Sequence, residues 1–151
     1  MIIATSSPNK WKIVAELIKW YQGTKFSHVL IIDGELVYQA SHSYVNCMHI
    51  EVFLKDNNII HRYAVPNKDV DMEFVKKQLG KQYGVMQLFV ISIFALVKAL
   101  FKFIKFKSKG NGDQKFICSE FVGKALKLDW VDDLTTPEEI NNYLKDKYGV
   151  S

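Results

Sequence analysis

Cys47 and Cys118 are the only thiols in this chain of 151 residues. So sparse a set excludes a disulfide-stapled scaffold. Neither the cysteines nor the four histidines fall at the spacing of a structural zinc site, so no metal and no other cofactor is expected. The glycines around Asn111 lack the phosphate-loop pattern. No repeat recurs and no linker divides the sequence, so residues 1–151 are expected to form a single domain. Met1 to Thr5 lacks the basic flank and long apolar core of a signal peptide. The uncharged run Gly84 to Val97 is shorter than the roughly 20 residues that cross a bilayer. The expectation is a chain without a transmembrane helix, resident in a reducing compartment such as the cytoplasm, with its thiol free.

What is present suits a globular protein: 48% hydrophobic and 24% charged residues. The net charge of +4 steers weakly toward anionic partners, and no nucleic-acid partner is expected. Ser7-Pro8 reads as a helix start, with the apolar stripe Trp11, Val14, Ala15, Leu17, Ile18, Tyr21 behind it and Gly23 at its end. His28–Ile32 and Glu35–Ala40 read as strands joined by an Asp33-Gly34 hairpin turn. Further strands are expected near Met48–Leu54 and Ile59–Val65, with Asp56-Asn57-Asn58 as the turn. Asp69 to Leu79 reads as a helix with Val70, Phe74 and Leu79 inward. Cys118 to Leu128 reads as a helix buried through Phe121, Val122, Ala125 and Leu126. Thr136-Pro137-Glu138-Glu139 is a capping box that opens a last helix, running through Tyr148. The fold class is α+β: a small antiparallel sheet packed against helices.

Cys118 sits where an apolar approach turns into a helix, in Phe116-Ile117-Cys118-Ser119-Glu120-Phe121. The positive end of a helix lowers a thiol pKa from ~8.5 toward the reactive range. The hairpin supplies a base. With Asp33 and Gly34 in the turn, His28 falls opposite Gln39, and opposed side chains lie about 5 Å apart on one face. The Gln39 oxygen would then accept from one imidazole nitrogen and leave the other to serve a nucleophile. The same pair also fits an ordinary satisfied strand histidine, and a lone apolar cysteine is most often core.

Ser27-His28-Val29, Val37-Tyr38-Gln39-Ala40, Gly80-Lys81-Gln82-Tyr83 and Phe116 to Phe121, in that order, resemble the circularly permuted, papain-like NlpC-type hydrolases. The branch is the YiiX-like one, related to lecithin-retinol acyltransferases. Leu17-Ile18-Lys19-Trp20 and Thr136 to Ile140 extend the resemblance over most of the chain. It implies Cys118 as nucleophile, His28 as base and Gln39 as third residue, where relatives often carry glutamate. It places Tyr83 near the substrate cleft, and His42, which closely follows Gln39, could line it as well. The implied activity is a thiol hydrolase acting on an amide, as in a cell-wall peptide, or on an ester or thioester of a lipid. The backbone N–H of Cys118 would be one oxyanion donor.

Other readings stand beside this one. Compact members of the branch occur in phages, which suggests a non-catalytic structural or interaction protein with a virion or assembly partner. Cys47 and His49 share a strand face, a weaker alternative pair; His61 reads as a surface or sheet position. Within 85–107, Lys98, Lys102 and Lys105 recur at helical spacing among Leu100, Phe101, Phe103 and Ile104. A buried pair of helices with lysines in water is the favoured reading. Peripheral membrane contact through a basic amphipathic helix is the other, and it would favour an acylated-lipid substrate.

Overall fold

A computed structural model describes residues 1–9, 13–41, 44–82, 117–132 and 135–149. Its elements are β1 (Ile2–Pro8), α1 (Ile13–Gln22), β2 (His28–Asp33), β3 (Leu36–Ser41), β4 (Tyr44–His49), α2 (Ile50–Leu54), β5 (Asn57–Ala64), α3 (Met72–Lys77), α4 (Cys118–Ala125) and α5 (Pro137–Tyr148). The five strands form one antiparallel sheet in the order β4-β3-β2-β1-β5. The α+β expectation with a small antiparallel sheet therefore stands.

β2 lies at the centre, covered on both faces, which is why Val29-Leu30-Ile31 reads as a continuous apolar run. The pleat sends Val29 and Ile31, with Tyr38 and Ala40, into one cluster. There they meet Cys118, Phe121, Val122 and Ala125 of α4 and Ile140 and Leu144 of α5. Leu30, Ile32 and Val37 join Ala4 and Phe53 of α2 in a second cluster. Each fully buried large side chain contributes about 1.5–3 kcal/mol. Gly123 marks the tightest approach: a Cβ there would stand 2.5 Å from Val131 Cγ2.

Several expectations are corrected. Ser7-Pro8 does not start a helix; both residues end β1, and α1 begins at Ile13. Ile2–Thr5 is strand because β2 and β5 flank it and satisfy its backbone from both sides. Ile50–Leu54 is helix rather than strand, capped by His49, whose Nδ1 accepts from the Glu51 N–H. Asn57 and Asn58 belong to β5, not to a turn. Val70 is buried as expected, but Leu79 is exposed and Val75 takes the inward position. The hairpin turn is Gly34-Glu35, not Asp33-Gly34: Asp33 pairs with Leu36, and Gly34 carries the φ of +58° that a first turn position of type II′ requires. The register thus moves by two residues from the expected one, and Ile31 rather than Val29 opposes Tyr38.

Gly23 ends α1 with a φ of +65°. The capping box holds: Thr136 N–H donates to Glu139 Oε2 at 2.7 Å, and Glu139 N–H returns to Thr136 Oγ1 at 3.3 Å. No helix among the described residues is long and apolar enough to cross a membrane. The 85–107 segment, His42 and Tyr83 lie outside the described residues.

Candidate active site

His28 opens β2 and Gln39 lies near the end of β3. A shift of two residues preserves parity, so both side chains keep to one face although they are no longer directly opposed. They meet on the diagonal: His28 Nε2 is 2.9 Å from Gln39 Oε1. An amide oxygen only accepts, so Nε2 carries the proton and Nδ1 is the ring's basic nitrogen. The other end of the buried Gln39 amide donates to Met48 Sδ at 3.8 Å. That thioether is a weak acceptor, which favours this amide orientation over the flipped one.

Cys118 is the first residue of α4 and is 3% exposed. Its N-cap is Ile117, which has no side-chain acceptor, and no side chain caps the helix from that position. The N–H groups of the first turn therefore present the positive helix end at the thiol. Glu120, also in this turn, is held by Lys124 at 2.6 Å, which offsets its charge. Ser119 Oγ donates to the Thr135 carbonyl and ties the start of α4 to the approach of α5.

The two halves occupy the same end of the sheet. Asp71 N–H donates to the Ala125 carbonyl at 2.7 Å, and the Phe74 and Phe121 rings lie 6.4 Å apart. α3 and α4 therefore run antiparallel, which brings Cys118 toward the Gln78 end of α3. Just beyond, Gly80 N–H donates to Val45 O and Val45 N–H donates to Lys81 O, both at 2.8 Å. Val45 opposes Ala40, the neighbour of Gln39. The start of α4 and the inner end of β3 are thus gathered at one edge. Parity, however, assigns His28 and Gln39 to the face of Leu30 and Val37, whereas Cys118 packs with Val29 and Ile31.

Two polar groups here escaped the sequence reading. Asn46 stands directly opposite Gln39, with its Oδ1 buried and without a hydrogen-bond partner among the described residues. Gln78 is buried at the end of α3, and its Oε1 is likewise without a partner. Nothing in the local sequence singles out either one, because burial of the first comes from strand pairing and of the second from helix packing.

The other two described histidines are otherwise engaged. His49 Nε2 meets Glu35 Oε2 at 3.2 Å, and His61 Nδ1 of β5 meets Thr5 Oγ1 of β1 at 3.0 Å. Cys47 is exposed and pairs with Tyr38, not His49, across β3 and β4. Burial first and Cys47 second raise the Tyr38 phenol above its ordinary pKa. No protein-family model matches this chain, and no curated protein matches it either.

Proposed function

We propose that this chain is a cysteine-dependent acyl hydrolase of the permuted papain-like kind. The supporting observation is the 2.9 Å contact between His28 Nε2 and Gln39 Oε1. It sets the tautomer in which Nδ1 can take a thiol proton. The order of the residues along the chain, His28 and Gln39 before Cys118, agrees with the resemblance described above.

In this reading Cys118 transfers its proton to His28 Nδ1, and the thiolate attacks a carbonyl carbon. The tetrahedral oxyanion is met by the Cys118 N–H and by the Gln78 amide as a second donor. The imidazolium then protonates the leaving amine, alcohol or thiol. Water, deprotonated by His28, hydrolyses the acyl-thioester and restores the thiol. The substrate is a peptide amide or an acylated lipid, and neither a metal nor an organic cofactor enters these steps.

A second reading is favoured by one observation: Cys118 is buried. In that reading the chain is a structural or interaction protein with an occluded thiol and a lasting partner, such as a virion component. The test is acylation by a 4-nitrophenyl ester, followed by intact-mass and peptide mass spectrometry. A Cys47→Ser background keeps the exposed thiol from reacting. The hydrolase predicts an acyl adduct on the Cys118 peptide that decays on standing and is absent from Cys118→Ala. A folded chain that acquires no adduct supports the structural reading instead.

A further inference from the structure

The outer face of α1 has no role in the site described above. Ile13, Leu17 and Trp20 recur at i, i+4 and i+7 along this helix, so they form one stripe. They are 61%, 42% and 64% exposed, where a core-facing helix would bury such a stripe. Single exposed apolar residues are ordinary, but three aligned on one helix face are not.

The charge around the stripe indicates what covers it. The sequence from 9 to 25 holds four lysines, Lys10, Lys12, Lys19 and Lys25, against one carboxylate, Glu16. That carboxylate is already neutralised by Lys19 at 2.5 Å. Lys19 also reaches Ser7 Oγ at 3.4 Å, which ties the helix down on β1. Lys25 is exposed just beyond Gly23. An apolar stripe ending in tryptophan, on a stretch of sequence with a surplus of lysines, matches a helix lying in the headgroup layer of an anionic bilayer. A protein partner for so basic a stretch would have to supply both an apolar groove and an acidic border. A lipid surface offers both at once.

We propose that α1 is a docking surface for anionic lipid membranes, with Ile13, Leu17 and Trp20 entering the interface and Lys25 facing the headgroups. The docking places a particular end of the fold at the membrane. α1 leaves β1 after Pro8 and returns through Phe26 and Ser27, and Ser27 N–H donates to Ser6 O at 3.1 Å. Ser6 pairs with His28. The residues that flank α1 on both sides, Pro8 and Ser27, therefore lie at the sheet end that carries His28.

The experiment is flotation of the whole chain with phosphatidylcholine vesicles, with and without phosphatidylserine. The wild type is expected to float with the anionic vesicles and much less with the neutral ones. Leu17→Glu and Trp20→Glu should each weaken partitioning about tenfold, the factor expected when one large apolar side chain no longer enters the interface. Lys25→Glu, outside the helix, should weaken anionic binding while leaving thermal unfolding unchanged, so the test survives misfolding of a helix variant. With Trp11→Phe and Trp130→Phe in place, Trp20 emission should shift to the blue on binding. Absence of flotation overturns the proposal. So does flotation that none of these substitutions changes, which would assign binding to another part of the chain. Self-association abolished by Trp20→Glu, without vesicle binding, would also overturn it in favour of a second copy of the chain. Cys118→Ala should float like the wild type, so this inference and the hydrolase reading fail separately.

Discussion

His28 and Gln39 share a hydrogen bond of 2.9 Å without being opposed in the sheet. The ladder sets Ile31 against Tyr38, so His28 and Gln39 meet on the diagonal. Diagonal neighbours on one face remain within reach of long side chains. The contact therefore depends on the length of glutamine, and a shorter amide should not replace it.

Gln39→Asn is accordingly expected to lose the His28 contact, and Gln39→Ala to leave the imidazole N–H unpaired at a cost of about 1–3 kcal/mol. Gln39→Glu should keep the contact and raise the His28 pKa, because a carboxylate favours the imidazolium. Titration of the His28 ring signals by NMR checks the direction. An unchanged His28 titration in Gln39→Glu would show that the ring does not depend on this side chain.

Gly123→Ala should be destabilising, since its Cβ would stand 2.5 Å from Val131 Cγ2 and 2.7 Å from Cγ1. Overpacking of this kind costs about 1–3 kcal/mol. Val131→Ala should recover much of that loss when combined with it, and urea unfolding of both single variants and the double variant measures the coupling. Strict additivity would mean that the backbone, not Val131, creates the constraint.

Alkaline pH should destabilise the fold through its tyrosines. Burial raises Tyr63 above its ordinary pKa, and burial followed by the hydrogen bond to Asp69 raises Tyr148. Tyr38 is raised by burial and by Cys47. A raised phenol pKa means that the folded state holds its proton longer than the unfolded state. The corresponding stability is complete below the unfolded value of about 10 and is lost as pH climbs through the folded values. Urea midpoints measured from about pH 8 to 12 should fall across that window. Tyr63→Phe should flatten part of the fall while lowering stability at neutral pH, because Asn141 Oδ1 loses its 2.6 Å partner.

Thr136→Ala should cost about 1 kcal/mol by opening the capping box. Glu139→Ala removes the reciprocal bond to the Thr136 N–H and should add less than its own cost in Thr136→Ala, because both substitutions remove the 2.8 Å bond from Thr136 Oγ1 to Glu139 Oε2. Thermal unfolding of the three variants gives the comparison; full additivity would show that the two bonds act independently.

The sequence was most legible where local chemistry and tertiary packing agree. The Thr136 box and the buried side of α4 follow directly from residue order. β1 was hidden because Ser7-Pro8 is a strong local helix signal, overridden by pairing on both sides. α2 was hidden because its cap is a histidine, outside the usual set of capping residues. The hairpin register was misplaced because Asp-Gly is a turn signal even where only the glycine enters the turn. The His28–Gln39 contact survived that error through parity alone. The burial of Asn46 Oδ1 and of Gln78 depends on long-range pairing and packing, which no local pattern encodes.

In the proposed mechanism His28 activates the Cys118 thiol. The most direct measurement of this is the pH dependence of Cys118 alkylation by iodoacetamide in the Cys47→Ser chain, with and without His28→Ala. The account predicts a rate that inflects well below the ordinary thiol pKa of about 8.5, and an inflection that moves back up in His28→Ala. A rate that rises only around or above 8.5, identical in the two chains, would contradict it.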